Sequence, residues 1–252
     1  MLQHNPLLPL EQAGFRHRRS VLDQVILLTQ DIENSFSAKK KAGAVIVDLT
    51  EVYNTVSHHG LTCKLLPDKT HGPHDHGDGW QLQLYPTTGN GQRSRLRRRK
   101  NGVPQGSILV PLLFNIYISD LPTTISRKYA YADNLAIMHA DGDWQAVEGT
   151  LSKDMANVGE YLQTWKLKLS ITKMVSAGFH LNNKEAMREL KVNFNNETLP
   201  YCFEPKYLGF TLDRSLTYHR HLDPLRQKLT SRVTLLRWLA GVLEQQHCEQ
   251  LP

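Results

Sequence analysis

The stretch Arg127-Lys128-Tyr129-Ala130-Tyr131-Ala132-Asp133-Asn134-Leu135-Ala136-Ile137-Met138 constrains this chain most, because two short apolar runs flank a tight polar turn. Alternation in the flanks predicts two strands, and Asp133 and Asn134 tolerate the positive φ that two-residue hairpin turns demand. The expected element is a β-hairpin with one carboxylate and one carboxamide side by side at its tip. Turn chemistry alone accounts for both residues. A functional reading therefore needs partners from elsewhere in the sequence.

The first such partner is Asp48. It stands near the end of Gly43-Ala44-Val45-Ile46-Val47-Asp48-Leu49, an apolar run rich in β-branched residues that predicts a strand buried on both faces. An acid at the end of a buried strand is costly unless it is paired, hydrated or bound to metal. The alternative is an N-cap for a following helix through Tyr53 and Val56. Upstream, Ser20-Val21-Leu22-Asp23 has the form of a capping box. Val25, Leu28, Ile32 and Phe36 then repeat at helical spacing, which predicts a helix from Val21 to Ala38.

A third polar feature is Asn101-Gly102-Val103-Pro104-Gln105-Gly106-Ser107, which leads into the apolar run from Ile108 to Ile118. Pro104 fixes the backbone, Gly106 permits a tight turn or close approach to a ligand, and Gln105 offers both a donor and an acceptor. A polar loop entering a core helix would look the same. Between Pro67 and Pro86 the character changes: Thr70-His71-Gly72-Pro73-His74-Asp75-His76-Gly77-Asp78-Gly79-Trp80 shows neither helical nor strand period. Its histidines and aspartates match no spacing of known coordination geometry, and its glycines oppose preorganisation.

Asp143 is positioned to cap a second amphipathic helix through Val147, Leu151, Met155, Val158, Leu162 and Trp165, which should cover the sheet. Leu169 to Leu181 reads as loop and strand, Val192 to Phe194 and Leu208 to Leu212 as further strands. A last helix is expected from Asp223-Pro224, with an apolar face and a largely basic remainder. Helices on a small antiparallel sheet make the fold class α+β, with a helical C-terminal appendage.

Charge points toward the partner. The 252 residues carry a net charge of +6, with two dense blocks: Arg16, Arg18 and Arg19, then Arg93, Arg95, Arg97, Arg98, Arg99 and Lys100. Such blocks are either solvated faces or contacts to a phosphate backbone. Three scattered cysteines, Cys63, Cys202 and Cys248, fit a reduced intracellular setting, nuclear or cytoplasmic, better than a disulfide framework. The longest apolar run falls short of the ~20 residues that span a bilayer, so no membrane partner is expected.

An acid ending a buried strand, a Pro-Gln-Gly loop and an acid at a hairpin tip, in that order, resemble the palm of a reverse transcriptase of the jockey type of non-LTR retrotransposon. The resemblance extends over nearly the whole chain. It includes Gln12-Ala13-Gly14-Phe15-Arg16, Val47-Asp48-Leu49 through Tyr53 and Val56, Gly102 to Ser107, Tyr131-Ala132-Asp133, Trp165-Lys166-Leu167 through Lys173, and Tyr207-Leu208-Gly209. What it implies is nucleotidyl transfer with two divalent ions about 3.5–4 Å apart, Mg²⁺ or Mn²⁺. Asp48 and Asp133 would hold the metal, with Asn134 beside them in the catalytic group. Tyr53 would lie under the sugar of the incoming nucleotide, Gln105 and Gly106 would line nucleotide and template, and Lys173 would approach the triphosphate. Arg16, Arg97, Arg98 and Arg99 would meet nucleic acid, and Tyr207, Leu208 and Gly209 would form the primer grip. An RNA template, a DNA primer and a deoxynucleoside triphosphate are the implied partners.

The resemblance also implies a division into residues 1–42 as partial fingers and first palm helix, 43–215 as palm with an aberrant segment at 67–90, and 216–252 as the start of a truncated thumb. Family members carry a second aspartate where this chain has Asn134. Losing that charge beside the metal removes several kcal/mol of transition-state stabilisation, roughly 10²–10⁴ in rate, so weak or absent activity is expected. A non-catalytic nucleic-acid-binding remnant is the alternative. The abrupt loss of likeness from Thr70 to Pro86 suggests a shifted reading frame, restored near Thr87-Thr88-Gly89-Asn90.

Overall fold

The computed structural model describes residues 11–65, 82–84, 97–99, 101–103 and 109–248. Helix α1 (Val21–Ser37) opens on the expected capping box: the Asp23 amide donates to Ser20 Oγ, and the Ser20 amide donates to the Asp23 carboxylate. Strand β1 (Lys41–Thr50) follows, then the short helices α2 (Val52–Thr55) and α3 (His58–Leu65). Strands β2 (Leu82–Leu84) and β3 (Arg97–Arg99) pair only with each other. Next come α4 (Val110–Tyr117), the hairpin β4 (Arg127–Tyr131) and β5 (Asn134–Asp141), and α5 (Trp144–Thr164). The chain continues through β6 (Lys168–Leu169), β7 (Val175–Phe179), β8 (Asn193–Phe194), β9 (Glu197–Thr198), β10 (Lys206–Tyr207) and β11 (Phe210–Thr211) to the long helix α6 (His219–Cys248).

The main sheet is antiparallel throughout. Strand β1 lies at its centre, paired along its length with β5, which pairs in turn with β4. Its other edge pairs first with β7, over Ala42 to Ile46, and then with β6 at Leu49 and Thr50. Alternate residues of the sheet feed two separate cores. Val45, Val47, Leu135 and Ile137 pack toward α4 and α5, with Phe114, Leu151, Met155 and Leu162. Ala44, Ile46, Ala136 and Met138 pack toward α1 and the β10–β11 hairpin, with Leu28, Ile32, Tyr207 and Leu212. That two-sided burial is why β1 reads as a continuous apolar run rather than an alternating one. Asp48 interrupts that run as a half-buried carboxylate two residues before the strand ends at Thr50.

The predicted helices at Val21 and after Asp143 are present, and the Asp143 carboxylate accepts from the Gln145 amide at 3.1 Å. Four local expectations are corrected. The hairpin turn is Ala132-Asp133, with Asn134 already in β5 and Ala132 as the left-handed residue (φ 53°). Leu208 to Leu212 is not one strand, because Leu208 and Gly209 (φ 49° and 87°) form the turn between β10 and β11. Helix α6 begins at His219 and carries Pro224 inside it, because the Asp213 carboxylate gathers the Ser215, Thr217 and Tyr218 amides and sets the entry earlier. Asp48 does not cap α2, whose N-cap is Glu51 without any side-chain hydrogen bond. Within the aperiodic stretch, Leu82–Leu84 is a strand, while residues 66–81 and 85–96, with their histidines and the proposed frame change, lie outside the described residues.

Candidate active site

The carboxylates of interest meet at one end of the central sheet. In the β1–β5 ladder Asp48 is the direct partner of Asn134, and the Leu49 amide donates to the Asp133 carbonyl at 2.9 Å. Two strands distant in sequence thus deliver Asp48, Asp133 and Asn134 to one spot, all half-buried. The turn from β6 adds a cation. Ser170 donates its amide to the Asp48 carbonyl at 2.9 Å, and the 3₁₀ turn Ile171–Lys173 that follows aims Lys173 Nζ at Asp48 Oδ2, 2.7 Å away. Hydrogen bonding and charge from Asp48, with Asp133 adding, hold the Lys173 ammonium above its usual pKa.

Tyr53 completes the described group. Its ring packs edge-on against Phe114, with centroids 5.6 Å apart, at the near end of α4. Burial, and then the Asp133 charge, push its hydroxyl up in pKa, so it stays protonated. The Asn134 amide donates to Asp133 Oδ1 at 3.2 Å, which leaves its own carbonyl oxygen as a neutral acceptor. Two carboxylates from separate strands, with an amide oxygen beside them, fit a hard divalent ion that takes oxygen ligands and keeps much of its water. Among the described residues no group of three or more His, Cys, Asp or Glu side chains could hold a metal. The site is thus carboxylate-poor, with Lys173 offsetting part of its charge.

Of the residues singled out in the sequence, Asp48, Asp133, Asn134 and Lys173 lie together at this end of the sheet, with Tyr53 close enough for the Asp133 charge to act on it. Gln105 and Gly106 lie outside the described residues. Arg16 is half-buried and donates to the Gln12 carbonyl at 3.2 Å, on the segment that braces the hairpin. Arg97, Arg98 and Arg99 form β3, in a ladder separate from the main sheet. Tyr207 is fully buried and donates its hydroxyl to the Tyr129 carbonyl at 2.9 Å. Its ring therefore anchors the β10–β11 hairpin, and only the turn Leu208-Gly209 is presented. The side chain that sequence reasoning passed over is Gln12, buried against Ala132. Nothing local in the sequence marks a glutamine as a clamp, because its partner Ala132 is 120 residues away.

A two-faced antiparallel sheet that brings acids from its central strand and from a neighbouring hairpin to one edge has the architecture of a polymerase palm. The chain belongs to the reverse transcriptase family: residues 1–212 match the family model for reverse transcriptase (RNA-dependent DNA polymerase). Within that family it is a jockey-like domain. It is 28% identical over 245 residues to the probable RNA-directed DNA polymerase from transposon BS of Drosophila melanogaster, covering 92% of this chain and 27% of that protein. To the RNA-directed DNA polymerase from mobile element jockey of Drosophila funebris it is 27% identical over 246 residues, covering 92% of this chain and 26% of that one. The chain thus spans about a quarter of the length of these relatives. Among solved structures, telomerase from Candida albicans in complex with a TWJ fragment of telomeric RNA superposes with a TM-score of 0.51 at 13% identity, over 82% of this chain and 35% of that one. That similarity establishes the fold as an α+β palm. No helix among the described residues is long and apolar enough to cross a membrane.

Proposed function

We propose that this chain is the palm-bearing part of a retrotransposon RNA-directed DNA polymerase, weak or silent in its present form, with its chemistry centred on Asp48 and Asp133. The observation that carries the reading is the β1–β5 register, which sets Asp48 opposite Asn134 and brings the Asp133 turn against Leu49. Asp48 and Asp133 would hold Mg²⁺ or Mn²⁺. The bound ions supply activation of the primer 3′-hydroxyl and charge neutralisation on the triphosphate. Tyr53 closes the floor of the site, where its half-buried ring limits room beside the sugar. Lys173, poised on the open side, offers positive charge toward the leaving phosphates. Gln105 and Gly106 line nucleotide and template in this reading, and Arg16 and Arg97 to Arg99 meet the backbone of an RNA template or DNA primer. The β10–β11 turn at Leu208-Gly209 serves as the primer grip, α6 starts the thumb, residues 43–215 are the palm and residues 1–42 belong to the fingers side.

Asn134 sets the level of activity. It keeps the size of an aspartate but brings no charge, and it turns a donor toward Asp133. Primer extension on an RNA template with Mg²⁺ and with Mn²⁺ tests this. Asn134→Asp should raise incorporation by roughly 10²–10⁴, and Asp48→Ala in that background should abolish it. Robust incorporation by the unaltered chain, or indifference to Asp48→Ala, would reject the proposal. A second reading, nucleic-acid binding without catalysis, is favoured by the missing charge at residue 134. It predicts binding that survives Asp48→Ala.

A further inference from the structure

The tip that presents Asp133 is built on an unfavourable residue. Ala132 takes the left-handed conformation (φ 53°) in a two-residue turn, a region where the Cβ of an L-residue crowds the following carbonyl oxygen. Glycine or asparagine would adopt it more readily. Something outside the hairpin must hold it there.

Gln12 meets that need. It is fully buried, and its amide grips both backbone groups of Ala132: Oε1 accepts from the Ala132 amide at 3.0 Å and Nε2 donates to the Ala132 carbonyl at 3.3 Å. The same Oε1 accepts from the Gly14 amide at 2.8 Å, which fixes the orientation of the carboxamide. On either side of the grip the backbone is laced to β4, with the Ala130 amide donating to Glu11 and the Ala13 amide donating to Ala130 at 3.0 and 2.9 Å. Gly14 makes this close approach possible, since a Cβ there would lie 2.3 Å from the Ala132 nitrogen. From the other side Asn115 Nδ2 donates to the Gly14 carbonyl at 2.9 Å, tying the strap to α4.

We infer that Gln12 is a positioning residue for the polymerase site: its carboxamide imposes the left-handed Ala132 and thereby fixes where the Asp133 carboxylate stands relative to Asp48. This rests on the reading of Asp48 and Asp133 as the metal-holding pair. The strap contributes no atom to the chemistry. It replaces the intrinsic turn preference that Ala132 lacks. Removing the grip strands three buried backbone groups, the Ala132 amide and carbonyl and the Gly14 amide, and the tip relaxes while the ladder beneath it persists.

The test compares the full chain with Gln12→Met, which keeps volume and removes all three carboxamide hydrogen bonds, and with Gln12→Met/Ala132→Gly, which lifts the conformational cost. Two readouts are taken: hydrogen exchange at the Leu49 amide, which bonds the Asp133 carbonyl, and Mn²⁺ affinity by calorimetry. Gln12→Met should speed Leu49 exchange by about 10-fold and weaken Mn²⁺ by a similar factor, with exchange in α5 unchanged. Adding Ala132→Gly should recover part of the Mn²⁺ affinity, which a mere packing role would not produce. Unchanged exchange at Leu49 in Gln12→Met overturns the positioning role whatever the metal does. Accelerated exchange with no Mn²⁺ binding by either the unaltered chain or its Asn134→Asp variant overturns the metal reading, and the catalytic side of the proposal with it.

Discussion

Lys173 stands 2.7 Å from Asp48 Oδ2 and is two-thirds exposed, so its ammonium occupies the approach that the proposed divalent ion would take to the same carboxylate. Removing it should help a cation bind. Because the pair is solvent-screened the gain is modest: Lys173→Met is expected to tighten Mn²⁺ about 3-fold by calorimetry, and weaker binding in that variant would contradict the placement. Any incorporation should nevertheless fall, since the same charge is lost from the triphosphate side. At this scale the sequence singled out the acids that the fold brings together, because acids near a strand end and at a hairpin tip are local signals. It gave no sign of the Lys173–Asp48 pair, which joins residues far apart in the chain through the fold of β6 against β1. The exact turn residue also escaped it. Asp133 and Asn134 have the better turn propensity, yet Gln12 and the register of Tyr131 with Asn134 place the turn on Ala132-Asp133.

Between elements, the tightest joints are buried small residues and one buried charge. Gly43 in β1 faces α5, where a Cβ would lie 2.6 Å from Val147 Cγ1 and 2.9 Å from Leu190 Cδ2. Gly43→Ala should therefore cost about 1–3 kcal/mol through overpacking, read as a lower urea midpoint. Lys64 of α3 is enclosed by Tyr117, Tyr161 and Trp165, with Nζ 3.7 Å from the Trp165 ring centre, and it donates to the Tyr117 carbonyl, Asp120 and the Tyr161 hydroxyl. Burial pushes this ammonium down to about 8, against the pull of Asp120. The unfolded chain keeps that proton up to the ordinary lysine value near 10.5, so the unfolded state binds more protons between these limits and stability rises with pH across them. Urea unfolding should show a gain of roughly 1–2 kcal/mol from about pH 7.5 to about pH 9.5. Lys64→Met should flatten that slope, and an equally steep slope in the variant would assign the effect elsewhere. The periodicity that predicted α1 and α5 could not announce this cage, because its aromatic walls come from α4 and the end of α5.

For the molecule as a whole, charge and one uncovered helix govern behaviour in solution. Helix α6 leaves Leu222, Leu225, Leu229 and Leu236 each at least 45% exposed, at helical spacing along one face, an apolar stripe of the kind that drives association. Light scattering should show concentration-dependent association that Leu225→Gln/Leu229→Gln/Leu236→Gln relieves, and a monodisperse unaltered chain would count against it. Nucleic-acid binding through the basic blocks should weaken steeply as salt rises, since phosphate contacts release counterions. By itself, the sequence determined the amphipathic helices α1 and α5, the two-sided central strand, the family and the acids proposed for the chemistry. These follow from hydrophobic period, capping and short motifs, all of which act over a few neighbouring positions. Only the tertiary structure decided that Asp48 faces Asn134, that Lys173 closes on Asp48, and that Gln12 holds Ala132 in place. Each of those contacts joins segments tens to more than a hundred residues apart, where the geometry is fixed by sheet register and by burial on both faces of β1 rather than by any local preference.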